Sequence, residues 1–291
     1  MSSDRNDFEI LLYGGSGTDN GSYRYRILHL KEQLDLAGIS SQIISNLTTI
    51  TSLPKKKQRL LVLHRVAWDY EVANIKKFAQ KNSIPLVYDI DDYVFDPKVN
   101  RFVRGLEFLT DEQKQEYGVG VTRYRKVLLN CDAAITSTQY LTDRIKEGGI
   151  SSFVHRNTSS KELLSVSEKT REQKKKGNEI LLGYFSGTHT HNYDFKECSD
   201  AILTIFEEFK NVKLLIVGPL EIDDRFKKFS DRITKSELVH WKNLPELISK
   251  VDINLAPLEV SNPFCQAKSE LKYFEAALVN VPTIASPTES F

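Results

Sequence analysis

The sequence predicts an α/β protein built as two doubly wound parallel-sheet domains. Three observations lead there. Short β-branched or Leu-rich runs alternate with longer amphipathic stretches along the whole chain. The runs are nearly continuous in apolar residues, as strands covered on both faces are. The rhythm breaks at SVSEKTREQKKKGNE (165–179), a charged stretch without apolar period that suits a linker or an exposed helix. That break divides a domain over 1–170 from one over 178–291.

In order, the expected strands of the first half are FEILLYG (8–14), SQIIS (41–45), RLLVLHR (59–65), PLVYDI (85–90), AAITST (133–138) and FVHRN (153–157). Those of the second half are EILLGYFS (179–186), KLLIVG (213–218), DINLAP (252–257) and PTIAS (282–286). Helical spacing is expected over 23–37, 69–81, 110–129, 138–147, 195–210 and 268–279.

Composition narrows the function. The 291 residues carry 40 Lys+Arg against 39 Asp+Glu, a net charge of +1. A general nucleic-acid binder would show a basic excess, so no nucleic-acid partner is expected. The basic runs Lys55–Lys57 and Lys174–Lys176 read as solvated loops. Cys131, Cys198 and Cys265 are odd in number and in no CxxC pairing, which fits reduced thiols in the cytoplasm rather than a disulfide frame or a zinc site. The N-terminus MSSDRNDFEI is polar and acidic, unlike a secretory leader, and no apolar stretch approaches a bilayer span. Peripheral contact with the inner face of a membrane is compatible with all of this.

In doubly wound sheets ligands sit beyond the carboxyl ends of the strands. The first strand runs into YGGSGTDNGSYRYRI (13–27), where Gly14, Gly15 and Gly17 permit a tight turn and close approach of a ligand. The spacing is not the GxGxxG of a dinucleotide site. Arg24 and Arg26 offer charge-assisted bonds to phosphate or carboxylate, or are surface arginines of an ordinary loop. RLLVLHR ends on His64 and Arg65, where His64 is either a structural donor or a group that orients or protonates substrate. PLVYDIDDYVF ends on Asp89, Asp91 and Asp92. Asp89-x-Asp91 has the spacing that holds a cation and its diphosphate in metal-dependent sugar-nucleotide enzymes, and equally the character of a strand-end cap.

The second half opens with LLGYFSGTHTHNYDF (181–195). Ser186, Gly187, Thr188 and His189, ahead of a helix, make an anion cradle of hydroxyls and backbone N–H groups, or a plain polar loop. His189 and His191 alternate as zinc ligands do, without further ligands nearby. In NPFCQAKSELKYFEAALVNVPTIAS (262–286), Lys268, Lys272 and Glu275 share one helical stripe, and Leu271, Phe274 and Leu278 share another that faces the core. Two ammonium groups suit a diphosphate and a carboxylate suits ribose hydroxyls; a surface Lys–Glu pair is the plainer alternative.

The order of the GG loop and RYR helix, LHR, VYDIDDYVF, TSTQYL, HRN, LGYFSGTHTHNYDF, LLIVG, LPELISKVDINLAPLE and AKSELKYFEAALVNVPTIAS resembles retaining glycosyltransferases of family 4 and their close relatives. The similarity spans nearly the whole chain and is most specific around Glu275-Ala276 and VPTIAS. It implies the GT-B fold, two Rossmann-like domains facing across a cleft, with the acceptor on the first and the donor on the second. It implies transfer of a sugar from a nucleotide diphosphate donor to a glycan or lipid-linked hydroxyl, with retention and with neither metal nor other cofactor. Matched positions imply donor contacts from Gly14, Gly15, Gly17, Ser186, Gly187, Thr188, His189, Lys268, Ser269, Lys272 and Glu275. His64 and Asp91 are then the catalytic candidates, and Arg24, Arg65, Asp89 and Asp92 those of the acceptor side.

The chain departs from the family in three ways. Ala267 stands where the first glutamate of the usual pair belongs, and the pattern KS-x-x-K-x-x-E, from Lys268 to Glu275, matches a subgroup better. SGTHTH occupies the place of the usual Arg and Lys of the diphosphate loop. The chain stops at SPTESF straight after a strand, so the second domain is expected to be incomplete, as in a piece of a longer polypeptide. A non-catalytic nucleotide-sugar or glycan-binding module is the alternative function, and a metal-dependent transferase using Asp89 and Asp91 a third.

Overall fold

A computed structural model describes residues 8–18, 20–53, 58–171, 177–188 and 191–291. The basic runs at 55–57 and 174–176, the acidic residues ahead of Phe8, and His189 lie outside the described residues. The chain divides into two compact units. The first holds the described residues of Met1–Arg101, Leu109–Ser159 and Ala267–Ser269; the second holds those of Phe102–Phe108, Ser160–Gln266 and Glu270–Phe291.

The first unit is a six-stranded sheet, all parallel, of β1 (Phe8–Gly14), β2 (Ser41–Ile43), β3 (Gln58–His64), β4 (Leu86–Ile90), β5 (Ala133–Thr136) and β6 (Ser152–Val154), in the order β2-β1-β3-β4-β5-β6. Its connections are helical: α1 (Gly21–Tyr23), which continues through a π-turn at Arg24–Leu28 into α2 (His29–Leu36), then α3 (Tyr70–Lys81), α4 (Asp111–Leu128) and α5 (Gln139–Glu147). Side chains close the helix starts. Asn20 accepts from Ser22 N–H, Asp69 from Val72 N–H and Thr138 from Leu141 N–H, while Thr110 and Gln113 form a reciprocal capping box. Leu12 and Val62 of the sheet pack on Tyr23, Ile27 and Leu30 of the first helical run.

The second unit is a five-stranded parallel sheet of β7 (Ile180–Phe185), β8 (Val212–Val217), β9 (Ile233–Ser236), β10 (Ile253–Ala256) and β11 (Thr283–Ala285), in the order β11-β10-β7-β8-β9. Its helices are α6 (Lys161–Arg171), α7 (Asn192–Glu208), α8 (Leu244–Ser249), α9 (Pro263–Gln266) and α10 (Leu271–Ala277). Strand alternation sends Tyr184, Leu214 and Ile216 to a core with Phe195, Phe206 and Phe226, and sends Phe185, Leu215 and Val217 to a second core with Ile248, Val251 and Ala276. Both faces are covered, which is why these strands read as unbroken apolar runs. Two Rossmann-like parallel-sheet units make this a GT-B type α/β fold, as the sequence predicts.

Three expectations need correction. ITKS at β9 is a strand although three of its four residues are polar: it is a sheet edge, with only β8 beside it among the described residues and Thr234 and Lys235 exposed. The helix expected over 268–279 begins only at Leu271, so Lys268 is not on a stripe with Lys272 and Glu275. The core positions of that segment are Ala276 and Val279, whereas Leu271, Phe274 and Leu278 are half-buried. Part of the charged stretch 165–179 is the end of α6, whose Leu163, Ser167 and Thr170 are buried. No helix among the described residues is long and apolar enough to cross a membrane.

Candidate functional site

In the first unit the connections reverse direction at β1, which has β2 on one side and β3 on the other. Such a switch point opens a crevice at the carboxyl ends of the strands. Here β1 gives way to the glycine turn. Gly15 N–H donates to His64 C=O at 2.8 Å. A Cβ on Gly15 would lie 2.6 Å from the Arg65 carbonyl oxygen, and one on Gly14 would lie 2.5 Å from the Tyr23 ring, so neither position admits a side chain without movement. A Cβ on Gly17 would meet nothing within 4 Å.

Register then sets the chemistry. Gly14, His64 and Asp89 are partners across β1, β3 and β4, and side chains on one rung of a parallel sheet share a face. His64 Nδ1 accordingly lies 2.7 Å from Asp89 Oδ1, and both side chains are wholly buried. From the π-turn, Arg26 reaches the same carboxylate with Nε at 3.0 Å from Oδ1 and Nη2 at 2.6 Å from Oδ2; its Nη1 donates to Asn157 Oδ1 and to the His155 carbonyl. Arg26 and Asp89 therefore hold each other, out of reach of a ligand. On the other side of the His64 ring, Nε2 is 2.8 Å from Ser22 Oγ, and Ser22 Oγ donates to Asp91 Oδ2 at 2.8 Å. The Ser22 hydroxyl hydrogen is given to Asp91, and the His64 ring bridges Ser22 and the Asp89 carboxylate.

Arg65 follows at φ 46°, in the left-handed region that a non-glycine residue enters only when held there. It donates from Nε to Asp91 Oδ1 at 2.6 Å and from Nη2 to Asp92 Oδ2 at 3.1 Å. Lys268 Nζ meets Asp92 Oδ1 at 2.9 Å, and Ser269 Oγ accepts from Asn157 Nδ2 at 3.0 Å. These contacts draw 267–269 into the first unit and delay the start of α10. Burial opposes charge on Asp89 and Asp91, but the neighbouring guanidiniums and the His64 ring outweigh it and hold both carboxyls below the ordinary range. Burial, then the charge of Asp92, pushes the Tyr117 phenol up to about 12. Arg24 is half-buried at the opening of the π-turn, its guanidinium 5.1 Å from the Tyr25 ring centre.

The second unit reverses at β7, between β10 and β8. In the loop beyond it, Ser186 is buried and its donors are used internally: N–H to Val217 C=O, and Oγ to the carbonyls of Thr188 and Pro219 at 2.9 and 2.7 Å. Ser186 thus shapes the turn, and Gly187 and Thr188 are its exposed members. Close by, Asp194 of α7 accepts from His191 Nδ1 at 2.9 Å and, on its other oxygen, from Glu259 N–H at 3.3 Å and Cys265 Sγ at 3.4 Å. Burial resists ionisation of Asp194; the bond and charge of His191, then the charge of Lys272, overcome it and lower its carboxyl. Arg104 forks onto Glu259, with Nη2 2.8 Å from Oε1 and Nε 3.1 Å from Oε2, and stacks over Tyr193, whose hydroxyl donates to Glu107. The ligand atoms of Asp194, Glu259 and Cys265 lie within 4.8 Å of one another, but a cation among them would have to displace Arg104. Lys272 stands over the Tyr184 ring at 4.4 Å, and Glu275 is half-buried on α10.

The fold therefore gathers His64, Arg65, Asp89, Asp91, Asp92 and Lys268 in one cluster, and places Lys272 and Glu275 with the second unit. Sequence reasoning missed Ser22, Tyr117, Arg104 and the His191–Asp194 pair. Only the last had a local signal, a His and an Asp three residues apart at a helix start.

No protein-family model matches the sequence, and no curated protein does. Solved structures do. An α-glucosyltransferase in complex with UDP-glucose and DNA containing an abasic site matches with TM-score 0.55 at 11% identity, over 95% of this chain and 79% of that one. An α-glucosyltransferase in complex with UDP matches with TM-score 0.53 at 11% identity, over 95% and 80%. The pneumococcal O-GlcNAc transferase GtfA, in complex with UDP and GlcNAc, matches with TM-score 0.51 at 14% identity, over 83% of this chain and 44% of that one. At such identities the likeness is one of fold.

Proposed function

We propose that this chain is a glycosyltransferase that moves a sugar from a nucleotide diphosphate donor to a glycan or lipid-linked hydroxyl, with retention and without a metal. The observation that carries the reading is that each sheet reverses at its first strand, and that buried polar residues are held in fixed geometry at both reversals. The likeness in fold to α-glucosyltransferases solved with UDP or UDP-glucose supports it. The second unit is assigned the donor, with Gly187, Thr188, Lys272 and Glu275 toward the diphosphate and ribose. The first is assigned the acceptor, through the glycine turn, Arg24, Arg65, Asp91 and Asp92.

The state of the carboxylates supports retention. An inverting transferase needs a base poised near the working pH to deprotonate the acceptor. Asp89 and Asp91 are instead held well ionised by their cation partners and make poor bases. The departing phosphate oxygen is then the proton acceptor, on the face it leaves. Asp91 and Asp92 orient sugar hydroxyls, and the His64 ring fixes Asp91 through Ser22.

A panel of uridine, guanosine, cytidine and thymidine diphosphate sugars, assayed for free and transferred sugar, tests the reading. Turnover of one member is expected, together with weakened nucleoside diphosphate binding in Glu275→Ala. Binding without turnover on any acceptor would favour a non-catalytic nucleotide-sugar module. The wholly buried Ala267, where the resemblance expects a carboxylate, is the observation on that side.

A further inference from the structure

We infer that Arg104 is a cation of the donor site and donates from Nη1 to the diphosphate of the sugar nucleotide. This deepens the donor assignment above and rests on it.

In sequence Arg104 lies between β4 and α4, yet Phe102–Phe108 is part of the second unit. Three contacts hold the segment there. Asn262 Nδ2 donates to Phe102 C=O at 3.0 Å, Tyr193 Oη donates to Glu107 Oε2 at 2.5 Å, and Glu259 accepts from Nε and Nη2 of Arg104. Tyr193 stands in the first turn of α7, the helix that follows β7, whereas Glu259 and Asn262 follow β10. From these two neighbouring strands the chain winds outward in opposite directions, to β8 and β9 on one side and to β11 on the other. Arg104 therefore spans the loops of the two strands that flank the switch point, where an open α/β sheet takes its ligand.

One edge of the guanidinium is committed and another is not. Nε and Nη2 fork onto Glu259, which is fixed in turn by Asn262 Nδ2 at 3.0 Å from Oε2. Nη1 makes no hydrogen bond among the described residues; its carboxylate neighbour, Glu107 Oε1, is 3.7 Å away and outside bonding distance. The guanidinium carbon stands over the Tyr193 ring, 4.7 Å from its centre, so ring and fork together set the direction of Nη1. The Arg104 side chain is 40% exposed and that of Glu259 is 11% exposed, which presents the cation and keeps the carboxylate behind it. A guanidinium held in this way can give its remaining N–H groups to a phosphate oxygen without releasing its carboxylate.

The loop beyond β7 leaves room for such a group. SGTHTH (186–191) contains neither Arg nor Lys, Ser186 spends its hydroxyl inside its own turn, and Lys268 bonds Asp92 in the first unit. Lys196 stands over the same Tyr193 ring at 4.5 Å. Arg104 and Lys196 are matched in number by Glu107 and Glu259, so the contact is one of directed donation more than of net field.

Calorimetry with UDP, GDP, CDP and dTDP, and displacement titration with the matching nucleosides, test this. Arg104→Gln is expected to bind the preferred diphosphate about tenfold more weakly and its nucleoside as the wild type does. Arg104→Gln combined with Glu259→Gln is expected to stay as weak. That double variant bares no charge, so it carries the test if the single one does not fold, as circular dichroism will show. Undiminished diphosphate binding in Arg104→Gln overturns the role of Arg104 and leaves the donor assignment standing. Equal weakening of nucleoside and diphosphate overturns it as well, because it marks a structural loss. So does full recovery in the double variant, which would trace the effect to a bared Glu259. Failure of the wild type to bind any of the four diphosphates overturns both Arg104 and the donor assignment.

Discussion

The Arg26 guanidinium and the Asp89 carboxylate form a closed ion pair, Nη2 to Oδ2 at 2.6 Å, with no solvent exposure on either side chain. The residues are far apart in sequence, one on the π-turn and the other at the end of β4, so the pair locks the first helical run to the centre of the sheet. A pair so buried contributes little over apolar residues of the same size, yet losing one partner strands a charge without solvent. Arg26→Met is accordingly expected to destabilise the protein by about 3–5 kcal/mol. Arg26→Met combined with Asp89→Asn should recover part of that loss. Urea unfolding of the single and double variants measures both, and equal losses in the two would mean that the stranded charge is not the cause.

The same cluster sets an acid limit. The Asp89 and Asp91 carboxyls are depressed in the folded protein, whereas unfolded aspartates titrate near about 3.9. The unfolded chain therefore binds protons first as pH falls. The stabilisation these groups supply is complete above the unfolded value and is lost as pH drops from it through the folded values. Unfolding free energy measured between neutral pH and pH 3 should fall steeply in the wild type and less steeply in Asp91→Asn. Parallel curves would exclude Asp91 as a contributor.

The sheets were legible because buried parallel strands write themselves as apolar runs, so that FEILLYG, RLLVLHR and EILLGYFS give their strands almost to the residue. ITKS was not, since an edge strand needs little hydrophobic burial. The polar residues at the strand ends were legible as a set: His64, Arg65, Asp89, Asp91 and Asp92 each follow or close a strand. Their partners were not. Whether Asp89 faces a ligand or Arg26 depends on a π-turn that shifts the helix by a residue, and no local pattern announced it. Lys268 illustrates the same limit, because helical spacing assigned it to Lys272 while a contact far away in sequence, with Asp92, decided its place.

Glycines separate a local from a general effect. A Cβ on Gly218, at φ 86°, would fall 2.0 Å from the Ser186 carbonyl oxygen, and one on Gly15 would fall 2.6 Å from that of Arg65, backbone atoms that cannot swing away. Gly17 has open space. Gly218→Ala is expected to be the most destabilising, Gly15→Ala to cost about 1–3 kcal/mol and displace Arg65, and Gly17→Ala to stay within about 0.5 kcal/mol of wild type. Thermal or urea denaturation gives the order, and a Gly17→Ala loss as large as that of Gly15→Ala would sink it.

The last expectation concerns cations. Asp89-x-Asp91 has the spacing of a metal site, but its oxygens face guanidinium, imidazole and hydroxyl hydrogens: Arg26 and His64 on Asp89, Arg65 and Ser22 on Asp91. A divalent ion takes six or more oxygen ligands, and at Asp91 it would have to displace the Arg65 guanidinium, whose backbone is already held at φ 46° by those carboxylates. Sugar transfer is therefore expected to continue undiminished in excess EDTA and to gain nothing from added magnesium or manganese. Arg65→Gln, by contrast, leaves Asp91 and Asp92 facing each other without their shared cation. It should reduce transfer by raising the KM for the acceptor while leaving affinity for the sugar nucleotide unchanged, because that ligand is assigned to the other unit. Transfer abolished by EDTA and restored by a divalent ion would reverse the reading of the aspartates, from a salt-bridged acceptor surface to a metal centre.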